Sequence, residues 1–149
     1  MKFSIPISSL LHHKGKKLWS IPPDATVFEA IKLMAEKNIG ALLVLSDGKL
    51  VGLFTERDYA RKIALQGKSS KDTRVREIFT GVVITVKSND SVEDCMKLMT
   101  EHRVRHLPVV DKGNVVGIVS IGDLVNWTIS AQDAAITQME QYIAGGVAS

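Results

Sequence analysis

From Leu18 onward the apolar positions change period three times within 50 residues, and the same succession then returns. Leu18 to Ile21 reads as a short strand, closed by Pro22-Pro23, which can extend neither a β-ladder nor a helix interior. Thr26 with Glu29 three residues on forms a capping box, and Val27, Ala30, Ile31 and Met34 fall at i, i+3, i+4 and i+7. A helix is predicted from about Val27 to Asn38. Ala41 to Leu45 and Leu50 to Phe54 flank Ser46-Asp47-Gly48-Lys49, a hairpin whose strands do not alternate cleanly and are expected to be buried on both faces. Thr55 opens a second helix through Tyr59, Ile63 and Leu65 that ends at Gly67. The order is β-α-β-β-α.

Residues 68–76 are polar and read as a linker, after which the pattern restarts. At a fixed offset of 65 and without a gap, residues 21–59 align on 86–124 with 11 identities in 39 positions. Val27/Val92, Met34/Met99, Leu42/Leu107, Val44/Val109, Gly48/Gly113, Gly52/Gly117 and Asp58/Asp123 are among them. Ser91 and Asp94 repeat the cap, Asp111-Lys112-Gly113-Asn114 repeats the hairpin turn, and Ser20 falls on Thr85. This is an internal duplication. A unit of about 60 residues buries too little surface to be robust alone, so the two copies are expected to pack sheet to sheet about a pseudo-twofold axis. The fold class is α/β (α+β). Repeat 1 spans 18–76, repeat 2 spans 83–143, and 1–17 is an N-terminal extension that holds one or two helical turns stopped at Gly15. Asp133 to Ile143 is predicted to be helical, with Ile136, Met139 and Ile143 as its apolar stripe, before Gly145-Gly146 ends it.

The candidate chemistry lies where the third apolar run of each copy stops. Gly52-Leu53-Phe54-Thr55-Glu56-Arg57-Asp58 and Gly117-Ile118-Val119-Ser120-Ile121-Gly122-Asp123 are each a strand ending in a hydroxyl, with a carboxylate three residues later. A carboxylate accepts two hydrogen bonds from vicinal ribose hydroxyls, and the start of a helix suits a phosphate. The same spacing is also an acidic variant of the N-capping box, which needs no ligand. On the residues alone the two readings stay open, and capping boxes are the commoner signal. Arg57 lies inside the first motif, and Arg103, Arg105 and His106 flank a strand start in the second copy, where an Arg can grip phosphate oxygens bidentately. His106 takes the slot of Ala41, as a phosphate donor or a packed histidine.

Composition narrows the classes that remain. Hydrophobic residues make up 45% of the 149 and charged ones 23%, as in a globular protein, and the net charge of +3 is too mild to argue for nucleic acid. The one cysteine, Cys95, aligns with Ala30 on an apolar face, so it is expected in the core rather than as a nucleophile, and it excludes an intrachain disulfide. No apolar run is long enough to span a membrane and no signal-peptide core precedes the fold, which predicts a cytoplasmic protein. Gly67-Lys68-Ser69 imitates the end of a P-loop, but position 62 is Lys62 and not the glycine that motif requires. The adjacent His12 and His13 diverge on a helix and make a poor metal site. No constellation of catalytic residues is present, so no enzyme activity is expected.

Paired β-α-β-β-α units, each with a strand ending in Gly-hydrophobic-x-(Ser/Thr)-x-x-Asp, resemble the cystathionine-β-synthase (CBS) domain, and the pair is similar to a stand-alone bacterial CBS-pair, or Bateman, module over residues 15–143. That resemblance implies a regulatory, signal-transducing module that binds an adenosyl ligand (AMP, ADP, ATP, NAD or S-adenosylmethionine) in the cleft between repeats and modulates an unidentified partner protein. It implies that Asp58 with Thr55, and Asp123 with Ser120, hold the ribose and lie near the phosphate. It adds Ser20, Ile21, Thr85 and Val86 from the strand before the first helix. From the start of the second strand it adds Ile39, Gly40 and Ala41, and Val104, Arg105 and His106. It further implies homodimers formed through helices. The alternative is a ligand-independent dimeric scaffold in which the motifs only cap helices. A third reading, nucleic-acid binding through Lys14, Lys16, Lys17, Arg74 and Arg76, lacks the aromatic residues that usually interleave such a run.

Overall fold

The computed structural model describes residues 5–14, 18–79, 81 and 84–148, with the side chains of 13, 14, 131, 134, 135 and 144–148 left aside. In chain order they form α1 (Ile7–Lys14), β1 (Ser20–Ile21), α2 (Val27–Lys37), β2 (Ala41–Ser46), β3 (Lys49–Thr55), α3 (Glu56–Tyr59), α4 (Val92–His102), β4 (His106–Asp111), β5 (Asn114–Ser120) and α5 (Ile121–Ala148). A π turn over Ala60–Ala64 continues α3, and a 3₁₀ turn covers Val75–Glu77. This is the mixed α and β architecture expected. The offset of 65 carries α2 onto α4, β2 onto β4 and β3 onto β5 residue for residue at both ends.

Two compact units result: Lys16–Lys87 with Pro108–Gly117, and Met1–Gly15 with Ser88–Leu107 and Ile118–Ser149. In the first, β1 runs parallel to β2 (Ser20 opposite Leu43) and β3 antiparallel to it (Ala41 opposite Thr55). α2 forms because Thr26 Oγ1 accepts from the Glu29 amide at 3.1 Å while Glu29 Oε2 accepts from the Thr26 amide at 3.2 Å. It stops at Asn38, whose left-handed φ of 54° turns the chain into β2. Val27, Ala30 and Met34 pack with Ile21, Leu42, Val44, Phe54, Ile63, Val75 and Ile78 into the core of this unit. β2 is buried over Ala41–Val44, as predicted for both faces, whereas β3 alternates, with Gly52 and Phe54 buried and Val51 and Leu53 partly exposed.

The polar stretch 68–76 is not a loose linker. Thr73 and Val75 are buried, and Thr73 and Ser70 carbonyls accept from the Val27 and Phe28 amides at 2.9 Å, supplying partners to donors that the first turn of α2 leaves open. The Val75 amide returns a 2.9 Å bond to the Ala25 carbonyl. The strand expected at Thr85-Val86 is reduced to one parallel bridge, Val86 to Val109, joined by Val86 N–H to the Pro108 carbonyl (3.0 Å) and Val110 N–H to the Val86 carbonyl (2.8 Å). β4 and β5 pair as a two-stranded sheet.

In the second unit, α1 is no appendage. Its Ile7 and Leu10 are buried, the Ile7 amide donates to the Asp90 carbonyl at 2.9 Å, and the Val92 amide donates to the Ile5 carbonyl at 3.0 Å. Gly15 lies outside the described residues. α4 buries Val92, Cys95 and Met99, the counterparts of Val27, Ala30 and Met34. α5 differs most from expectation. It is one helix of 28 residues that Gly145-Gly146 does not end, and its predicted stripe faces outward, with Ile136 53%, Met139 64% and Ile143 63% exposed.

Candidate functional site

β3 delivers Thr55 to the first motif with its backbone still extended (φ −123°, ψ 163°), which frees its hydroxyl to cap the turn that follows. Thr55 Oγ1 accepts from the Asp58 amide at 3.1 Å, and Asp58 Oδ2 accepts from the Thr55 amide at 3.0 Å and from the Thr55 hydroxyl at 3.1 Å. Asp58 is 8% exposed, one of two buried polar side chains in the chain's described residues. Its other oxygen, Oδ1, lies 3.4 Å from Lys62 Nζ, and that ammonium also donates to the Ile78 carbonyl at 2.9 Å. Arg57 is exposed beside it.

Sheet register gathers most of the remaining candidates of the first copy at one end. The Gly40 carbonyl accepts from the Glu56 amide at 3.1 Å, and Ala41 stands opposite Thr55. Ile21 and Ala41 are buried, Ile39 and Gly40 half-buried, and Ser20 is exposed at the start of β1. Ile39, Gly40, Ala41, Thr55 and Asp58 thus gather where β2 begins and β3 ends, whereas Ser20 and Ile21 stand opposite Leu43 and Val44, two residues further along β2.

The second motif repeats this main-chain arrangement. Asp123 Oδ2 accepts from the Ser120 amide at 2.9 Å, Ser120 Oγ accepts from the Asp123 amide at 3.1 Å, and the Arg105 carbonyl accepts from the Ile121 amide at 2.8 Å, the counterpart of Gly40 and Glu56. Val104 and His106 are half-buried and Arg105 is exposed. Thr85 is exposed and belongs, with Val86, to the other unit. Position 127, which the offset of 65 matches to Lys62, is a tryptophan. Sequence reasoning missed Lys62, although an acid four residues before a base on a helix is a readable pair. Its bond to Ile78 carried no local signal.

Other candidates are placed elsewhere. Cys95 is buried, as expected, and burial followed by the nearby charges of Asp90 and Asp94 pushes its thiol up to about 11. Arg74 donates to the Asp24 carbonyl and Arg76 pairs with the Asp24 carboxylate at 3.0 Å, so two members of the proposed basic set are turned to an acidic neighbour. Lys16 and Lys17 lie outside the described residues. Among the described residues no group of three potential metal ligands forms, and no helix is long and apolar enough to cross a membrane.

This fold, with a hydroxyl–carboxylate box at the end of β3 and again at the end of β5, defines the class: the CBS domain model matches residues 14–65 and 75–130, and the chain belongs to that family. Among individual proteins, it is 41% identical to the mitochondrial CBS domain-containing protein CBSX3 of Arabidopsis thaliana, over 96% of this chain and 74% of that one. A solved protein with CBS domains from Burkholderia ambifaria MC40-6 is 49% identical, with a TM-score of 0.83 over 86% of this chain and 96% of its own. The CBS domain pair of MJ0100, solved in complex with 5′-methylthioadenosine and S-adenosyl-L-methionine, is 28% identical, with a TM-score of 0.75 over 85% of this chain and 98% of its own.

Proposed function

We propose that the chain is a regulatory module, without chemistry of its own, that binds an adenosine-containing ligand at Asp58 with Thr55 and at Asp123 with Ser120. The observation that carries this reading is the duplicated box. Two carboxylates stand at matched strand ends, each held in place by the main chain, in a protein similar to a CBS pair that binds two adenosyl compounds. Held in this way, a carboxylate pays little ordering entropy when ribose hydroxyls donate to it. The main chain and side chains of Ser20-Ile21 and Ile39-Gly40-Ala41 supply an uncharged border suited to a base, and Arg57 and Arg105 are exposed residues of a type that suits a phosphate. AMP, ADP, ATP, NAD and S-adenosylmethionine all share the adenosine. Binding that favours one of two arrangements would shift a population read by a partner protein. A second copy of the chain is the proposed associate, with the exposed Ile129, Ile136 and Ile143 recurring every seven residues along α5.

Isothermal titration of 5′-AMP, NAD and S-adenosylmethionine against the wild type, Asp58→Ala and Asp123→Ala tests the binding. Each single variant is expected to weaken binding at one class of sites by about tenfold or more, and silence of the wild type toward all three compounds refutes the reading. The ligand-independent scaffold is the second reading. It is favoured by the fact that both carboxylates already serve as helix caps. Under it, the double Asp→Ala variant loses stability but keeps its protein partners.

A further inference from the structure

Lys62 sits on the π turn that follows the first motif, and its ammonium is shared between two groups distant in sequence: Asp58 Oδ1 at 3.4 Å and the Ile78 carbonyl at 2.9 Å. π turns are rare and concentrate at functional positions, because the extra residue re-aims side chains within a helix. Ile78 closes the 3₁₀ turn Val75–Glu77, where both its amide and that of Phe79 donate to the Val75 carbonyl, at 3.0 and 2.9 Å. Val75 and Ile78 are buried in the same core as Ile63, the residue after Lys62. The second copy has neither part of the device, since Trp127 stands in the slot of Lys62 and α5 runs on as a regular helix.

We propose that Lys62 is a positioning residue that couples occupancy of Asp58 to the order of the 75–79 turn, in the first copy alone. This rests on the reading of Asp58 as a ribose site. An ammonium divided between two acceptors holds each less firmly than it would hold one. When ribose hydroxyls donate to Asp58, the carboxylate's pull on Lys62 falls, and the ammonium is left to the Ile78 carbonyl. Ligand at Asp58 therefore tightens the turn, and by linkage a tightened turn favours ligand.

Hydrogen exchange of the full chain, read by mass spectrometry at Ile78 and Phe79, tests this with 5′-AMP as the probe, in the wild type, Lys62→Met and Lys62→Arg. In the wild type, saturating AMP is expected to slow exchange there by about 5-fold or more. Lys62→Met is expected to exchange several-fold faster than wild type without AMP and to show no further change when AMP binds, while Lys62→Arg restores part of the response. The Lys62 side chain is 38% exposed, so these variants retain the fold. Calorimetry on the same samples separates the two claims. AMP binding to the wild type with no change at Ile78 and Phe79 overturns the coupling, as does an unchanged response in Lys62→Met. Where AMP does not bind, whichever of NAD and S-adenosylmethionine does bind replaces it as the probe; absence of binding by all three overturns the ribose reading, and equal ligand-free exchange in wild type and Lys62→Met then overturns the role of Lys62 as well.

Discussion

Asp58 is asked to cap a turn, anchor an ammonium and, as proposed, receive a ribose, and the first two already fix what its loss costs. Asp58→Ala leaves the Thr55 amide without its acceptor and Lys62 without its anion, so a loss of about 1–3 kcal/mol is expected from urea unfolding. Asp123→Ala removes the acceptor of the Ser120 amide in the same way and is expected to cost a similar amount by the same measurement. Cys95 gives a pH signature. Its folded pKa is raised from 9.0 to about 11, so the stability it contributes is fully present below about 9 and is lost as pH rises through 11. Unfolding measured from pH 8 to 11 should show a decline that Cys95→Ala lacks, and parallel profiles would contradict this. Both boxes, the burial of Cys95 and the paired Met34 and Met99 were legible because each is a local spacing or a repeated slot. The Lys62–Ile78 bond was not, since it joins residues 16 apart across a turn that no periodicity announces.

Among the elements, the hairpins show how little sequence suffices when backbone geometry is demanding. Asp47 and Gly48 (φ 51° and 77°) and Lys112 and Gly113 (φ 52° and 80°) all lie in the left-handed region that a two-residue hairpin loop requires. A Cβ added at Gly48 or Gly113 meets nothing within 4 Å, so Gly48→Ala and Gly113→Ala should each cost only the conformational penalty, about 1–2 kcal/mol by thermal or chemical unfolding. A much larger loss would point to a contact the structure does not contain. The elements that escaped prediction did so for a common reason. Periodicity states that a face is apolar but not what covers it: the Ile7–Leu10 face is buried, whereas the Ile136–Ile143 face is exposed. Nor does a glycine pair compel a helix to stop, since each costs about 1 kcal/mol against alanine, which a long helix can absorb. The polar residues 68–76 hid their role because it is played by carbonyls, which every residue has.

For the whole molecule, the duplication was the most legible feature, because the offset of 65 survives in every paired element. The exposed isoleucines of α5 predict self-association: sedimentation should give a mass above the 16.3 kDa of one chain, and Ile136→Asp with Ile143→Asp should lower it. A monomeric wild type would remove that partner. The central claim is that the twin boxes hold adenosine, and one titration tests it most directly: 5′-AMP into the wild type and into the Asp58→Ala/Asp123→Ala double variant, with ADP, ATP, NAD and S-adenosylmethionine alongside. The account predicts saturable binding of at least one compound by the wild type and a loss of about tenfold or more in the variant, as expected for hydrogen bonds to a charged group. No binding by the wild type, or equal affinity in the two proteins, would contradict it.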